Sequence, residues 1–178
     1  MILVDFYKVI KARRSIRKFT SEPISEDILE RILNSARLAP TWANMQGCRY
    51  IIVDDKENVN KLKKAINQKW LKTVHLFLVI CIQERRSGKN PNGIKYFTVD
   101  AAICMEHLIL AATNEGLGSC WIGYFNEKDV KNALDIPKRE RVIGITPLGY
   151  PATKPKEQER KDLGKIVYKN RYGNNWDL

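Results

Sequence analysis

The sequence predicts an α+β fold, a sheet flanked by helices, and three observations carry that reading. Helical and strand patterns alternate along the chain without repeats or low-complexity segments. Leu76 to Ile82 is a nearly continuous apolar run, the pattern of a strand covered on both faces. The 178 residues are 44% hydrophobic and 29% charged, enough to bury one real core and ordinary for a globular protein.

The elements follow in order. Asp5 to Lys11 is a short helix, apolar at Phe6, Val9 and Ile10. Ser25 is placed to cap a second helix, with Glu26 and Asp27 at its positive end. Its apolar residues Ile28, Leu29, Ile32, Leu33 and Ala36 keep the helical period, and Pro40 lies just beyond. Tyr50 to Val53 reads as a buried strand, and Val59, Leu62, Ala65 and Ile66 mark a third helix. After the Leu76 run, Thr98 to Glu115 is helical and apolar nearly all round, and Gly116 ends it as a C-terminal cap. A helix apolar on every side must be buried on every side, which points to a subunit interface in so small a domain. Ser119 to Ile122 is a short strand. Asn126 and Asp129 resemble a capping box opening a helix with Val130, Ala133 and Leu134 inward. Val142 to Leu148 is the last strand. The order is α-α-β-α-β-α-β-α-β within one domain, residues 1–178, whose polar segment from about 152 to 178 is an extended arm.

Composition narrows the function. No apolar run is long enough to cross a bilayer, and Met1-Ile2-Leu3-Val4-Asp5 does not read as a secretory signal, so a cytoplasmic protein without membrane partners is expected. Cys48, Cys81, Cys104 and Cys120 stand singly and read as buried thiols in a reducing compartment. The net charge of +11 attracts anions. The cations are spread along the chain rather than gathered with aromatic residues, so nucleic acid is not expected as a partner. Gly116, Gly118 and Gly123 lack the spacing and the strand-to-helix direction of a dinucleotide fingerprint. Cys104 and His107 do not make a metal site by themselves, and both histidines, His75 and His107, read as core. Without a nucleophile-and-base set or a metal, the hard chemistry would have to come from a bound cofactor.

Four segments then converge: Arg13-Arg14-Ser15-Ile16-Arg17, Pro40-Thr41-Trp42-Ala43-Asn44-Met45-Gln46, Gly116-Leu117-Gly118-Ser119-Cys120-Trp121-Ile122-Gly123, and Arg160-Lys161 with Ile166-Val167-Tyr168. In this order and spacing the chain resembles the nitroreductase family over nearly all its length. The resemblance implies a mixed sheet flanked by helices, a homodimer that exchanges C-terminal arms, and one FMN in each of two interface clefts. It also implies NADH or NADPH as electron donor and a nitroaromatic, quinone or related small molecule as acceptor. No dedicated acid or base is expected, because the flavin carries the chemistry.

The resemblance implies roles for particular residues. Arg13, Arg14 and Ser15 match positions that hold the FMN phosphate and ribityl, which suits a dianion that wants charge-assisted donors. Arg17 matches a position near the pyrimidine edge, where a cation stabilises charge on a reduced ring. Pro40, Thr41, Trp42, Asn44 and Gln46 belong to the loop that the partner brings to the flavin. Trp121, Ile122 and Gly123 match the segment behind the ring, with Gly123 permitting close approach. Arg160 matches a phosphate ligand from the arm, helped by Lys161, and Gln68 falls near the pyrimidine edge. Simpler readings stand beside these: a solvated helix end for Arg13 and Arg14, ordinary core for Trp121, an exposed basic tail for Arg160. Trp42 and Gln46-Gly47-Cys48 depart from the family's small residue and Gln-Pro-Trp, which predicts a more flexible loop end and Trp42 beside the flavin, with Tyr124 and Phe125 on the other wall. A flavin-binding protein without turnover and a flavin-cleaving or dehalogenating enzyme stay open as alternatives.

Overall fold

A computed structural model describes residues 5–176; Met1-Ile2-Leu3-Val4, whose composition does not read as a secretory signal, and the last two residues of the arm lie outside them. The elements appear in the expected order: α1 (Phe6–Ala12), α2 (Glu26–Arg37), β1 (Cys48–Val53), α3 (Lys56–Ile66), β2 (Leu76–Ile82), α4 (Phe97–Asn114), β3 (Gly118–Ser119), α5 (Glu127–Ala133) and β4 (Arg141–Gly149). The sheet order is β1-β2-β4-β3, with every neighbouring pair antiparallel. Parallel pairing among the described residues comes down to one bridge, Ser15 to Ser119, at the β3 edge.

Each β2 residue is buried, as its unbroken apolar run requires, and β2 divides two cores. On one face Leu78, Ile80 and Ile82 meet α2 and α4; on the other Phe77, Val79 and Cys81 meet α3 and α5. β1 is the exception to the predicted burial. It lies at the sheet edge, so only Val53 is buried and Ile52 is exposed.

Capping is mostly as the residues dictate. Asp5, Asp55 and Asn126 each accept from backbone N–H groups in the first turn of their helix. Ser25 sits at the start of α2 in extended backbone, but its hydroxyl makes no capping bond. Gly116, at φ +78°, closes α4: its N–H donates to Thr113 O, and Leu117 N–H donates to Ala112 O.

Two burial expectations change. His75 is exposed just ahead of β2, and His107 is half-buried, its Nδ1 3.2 Å from Ser35 O. α4 buries Ala101, Cys104, Met105, Leu108, Ile109 and Ala112, while Val99 and Ala102 are exposed and Ile103 and Leu110 half-buried in the single chain. Its composition is apolar all round, but one chain covers only part of it.

Candidate functional site

Arg13 to Arg17 leave α1 and run along β3. The Ile16 N–H donates to Ser119 O at 2.8 Å, which aligns Ser15 and Arg17 beside Cys120. Ile16 is buried, so the polar residues on either side of it must face outward. This close approach explains Gly118. A Cβ there would lie 2.6–2.9 Å from three atoms of the Ile16 side chain, so no larger residue fits. At Gly123, expected to permit close approach to a flavin ring, a Cβ would meet Trp121 at an ordinary 3.5 Å within one chain.

The turn out of α1 and the start of the arm enclose a cleft of about 440 Å³, lined by Arg13, Arg14, Ser15, Arg17 and Arg160 together with Lys156. Among the described residues, the ion pair in this cleft is Arg14 with Glu157, at 3.3 Å. The local field is positive. Burial pushes the Cys120 thiol up, while Arg17, the Ser15 hydroxyl and Arg13 pull it the other way. The arm is held at its root, where Ala152 N–H donates to Lys18 O and Phe19 pairs with Pro151. Lys161 is exposed and does not line this cleft.

Arg17 also reaches the next part of the site. Its guanidinium carbon lies 5.9 Å from the Trp70 ring centroid. Trp70 Nε1 donates to Gln68 Oε1 at 2.6 Å, and Gln68 Nε2 donates to Tyr124 O at 3.3 Å. Gln68 is thereby tied to the Arg17 region across 50 residues of sequence. Trp121 is 37% exposed and lies over Gly144, rather than being plain core, and Ile122 is buried in register with Ile145. Tyr124 is exposed, whereas Phe125 packs into the core instead of forming a wall.

The Pro40–Gln46 loop lies elsewhere in the chain. It feeds β1 at Cys48, which faces Ile82, the last residue of β2. Ser119, beside Ser15, faces Leu148, which faces Leu76 at the other end of β2. Six residue steps at about 3.4 Å place the two sets roughly 20 Å apart along the strand.

The loop itself is tightly specified. Ala43, Asn44 and Gln46 have φ of 46°, 55° and 48°, a backbone region that non-glycine residues enter at a cost. Thr41 Oγ1 accepts from Gln46 N–H at 3.0 Å, and Asn44 Oδ1 accepts from Gln46 Nε2. Asp100, 3% exposed on α4, accepts from Trp42 N–H at 2.9 Å and from the Ser87 hydroxyl at 2.7 Å. The Trp42 indole covers Gly88, leaving no room there for a Cβ. The expected loosening at Gly47 is not what packing gives: Gly47 is buried, with Arg86 O 2.9 Å from where a Cβ would lie.

Sequence reasoning missed Trp70, Glu157 and Asp100. The visible signal was Asp100, a carboxylate inside an otherwise apolar helix; Trp70 and Glu157 left none.

The fold is an antiparallel sheet between two helical cores, with an arginine-lined cleft at one end. The family model described as "Putative TM nitroreductase" matches residues 5–176. The chain belongs to the nitroreductase family. It is 31% identical over 176 residues to the NADPH-flavin oxidoreductase of Vibrio harveyi, covering 93% of this chain and 73% of that one. A nitroreductase family protein from Clostridium novyi superposes at a TM-score of 0.80 with 36% identity, over 97% of both chains. An FMN-dependent nitroreductase from Clostridium difficile superposes at 0.81 with 29% identity, over 92% of this chain and 98% of that one.

Proposed function

We propose that the protein is an FMN-dependent NAD(P)H oxidoreductase that acts on a nitroaromatic, quinone or related small acceptor as a homodimer. The observation that carries this reading is the cleft where Arg13, Arg14, Ser15, Arg17 and Arg160 converge. Four guanidinium groups with a single paired carboxylate suit a phosphate dianion, so the residues present fit the cofactor. Names among the relatives, NADPH-flavin oxidoreductase and FMN-dependent nitroreductase, support the same cofactor and donor.

When bound, FMN would supply the hydride chemistry, which no side chain here provides. Arg13, Arg14 and Ser15 would hold its phosphate, with Arg160 reaching from the arm. Arg17, fixed over Trp70, would bring positive charge to the ring's polar edge, and Gln68 would offer an amide there. Trp121, Ile122 and Gly123 would back the ring. Pro40, Thr41, Trp42, Asn44 and Gln46 would come from the second protomer.

Distance supports that last assignment: the loop and the arginine segment lie at opposite ends of β2 in one chain, and a second copy would bring them to one ligand. The open face of α4 and the arm support a dimer further. Leu163, Ile166 and Tyr172 are exposed on an arm that needs a surface to cover. We assign residues 1–178 to one domain with the arm as its exchanged part, and the free-thiol cysteines suit a cytoplasmic setting. Among the described residues no helix is long and apolar enough to cross a membrane.

The test is spectroscopic. The purified protein should be yellow, with about one FMN per chain, and Arg13→Ala should weaken FMN binding roughly ten- to a hundredfold, the worth of one charge-assisted bond. A colourless protein that cannot be loaded would overturn the reading. Donor and acceptor would use the same cleft in turn, so varying NAD(P)H at fixed acceptor concentrations should give parallel double-reciprocal lines. Intersecting lines would exclude a shared cleft.

A further inference from the structure

We propose that Cys48 and Cys104 form a peroxide-responsive dithiol that closes to a disulfide at the foot of the Thr41–Gln46 loop. The cavity is not the arginine cleft, although Thr41 and Gln46 of the loop assigned to the flavin line it, and the thiol chemistry needs no flavin. Cys48 opens β1 and Cys104 sits mid-way along α4, which packs on that strand. Both thiols line one small cavity of about 150 Å³, shared with Thr41, Gln46, Arg49 and Tyr50. One water needs only about 10–15 Å³ of such space, so hydrogen peroxide fits the cavity.

The chemistry of the pair is asymmetric. Cys104 is drawn below the ordinary thiol value by a hydrogen bond from Cys48, against the opposing effect of burial, with a second hydrogen bond from Tyr50. Cys48, which is half-buried, moves the opposite way, because its proton is the one shared and partial burial disfavours its charged form. A thiol drawn toward its thiolate and a second thiol on the same cavity are the two partners a disulfide needs. Arg49 adds a nearby cation, its side chain held by Gln46 O and Cys48 O.

The other two cysteines lack this arrangement. Cys81 lies in the core on the opposite face of the sheet, and burial pushes its thiol up to about 12. Cys120 is buried and raised as well. They serve as internal controls.

The step balances. The Cys104 thiolate attacks one oxygen of hydrogen peroxide, the O–O bond breaks, and Cys104 becomes a sulfenic acid as the departing hydroxide takes up the proton Cys104 gave up. The Cys48 sulfur then attacks the Cys104 sulfur. The S–S bond forms, the S–O bond breaks, and hydroxide leaves with the Cys48 proton as a second water. Two electrons pass from the two sulfurs to the peroxide. The product ties β1 to α4 directly beneath the loop.

The experiment treats the protein as purified, cofactor included, with hydrogen peroxide and counts thiols after unfolding. The four thiols should fall to two, and peptide mapping should recover Cys48 linked to Cys104. Dithiothreitol should restore all four. In Cys48→Ser, the Cys104 sulfenic acid should persist and be captured by dimedone. Four thiols surviving in the wild type, or oxidation at Cys81 or Cys120 before this pair, would overturn the proposal. The wild-type map decides the matter even if the variant folds poorly.

Discussion

Gly118→Ala tests how the arginine segment is held. The added Cβ would sit 2.6 Å from Ile16 Cγ1, 2.7 Å from Cβ and 2.9 Å from Cγ2. Carbon atoms need about 3.5 Å or more, so the two segments must separate by roughly 0.8 Å. One of the three contacts is the Ile16 Cβ itself, so trimming that side chain cannot restore the fit. The Ile16 N–H to Ser119 O distance of 2.8 Å would then exceed hydrogen-bonding range. Overpacking costs about 1–3 kcal/mol and the lost bond about 1 kcal/mol, for a total near 2–4 kcal/mol. For a chain of this size that lowers Tm by about 4–16 °C. Because Ser15 and Arg17 move with Ile16, FMN affinity should fall about ten- to a hundredfold, the worth of one charge-assisted bond. Thermal unfolding and quenching of flavin fluorescence on titration measure the two effects, and Gly118→Ala/Ile16→Ala should recover neither. Wild-type Tm and affinity in the single variant would refute the close-approach argument, and rescue by Ile16→Ala would refute the backbone displacement.

Other perturbations probe separate parts of the molecule. Asp100→Asn leaves one oxygen for two donors, Trp42 N–H and the Ser87 hydroxyl, and should cost about 1.5–3 kcal/mol by urea unfolding while raising KM for the acceptor. Met105→Ala empties a fully buried site between sheet and helices and should cost about 2–5 kcal/mol. The Glu115 carboxylate, which binds Arg31 through two bonds of 2.8 and 2.9 Å, is held below its usual range chiefly by that hydrogen bond. Its contribution is present above the unfolded carboxylate value of 4.5 and is lost as pH falls through the lower folded value. The gap between wild type and Glu115→Gln should therefore be small and close on acidification from about pH 5. Truncation before Lys156 should lower the light-scattering mass toward that of one chain and loosen FMN, whereas an intact dimer with full FMN would remove the arm from both roles.

Much of the fold was legible in the residues because the burial demands are periodic. The unbroken Leu76–Ile82 run allowed only a strand covered on both faces, and the 3.6-residue spacing of Leu29, Ile32 and Ala36 allowed only a helix with one buried face. Gly116 announced the end of α4 through its left-handed backbone. Exposure of β1 was not legible, because Tyr50-Ile51-Ile52-Val53 carries the same composition whether a strand is central or at an edge. Nor was the open face of α4: hydrophobicity says that a surface must be covered, not by which chain.

The site divides along the same line. Sequence by itself determined that a cationic cluster, a polar loop, a glycine-bearing strand and a basic arm occur in the family's order, since these are chemical identities. Only the tertiary structure decided which of them meet. Arg13 to Arg17 and Arg160, more than 140 positions apart, line one cleft because the arm's root pairs with residues 18–20. Arg17, Trp70 and Gln68 join through a cation–π contact and a hydrogen bond that no spacing encodes. The Pro40–Gln46 loop stays at the far end of β2, because strand register fixes distances within one chain.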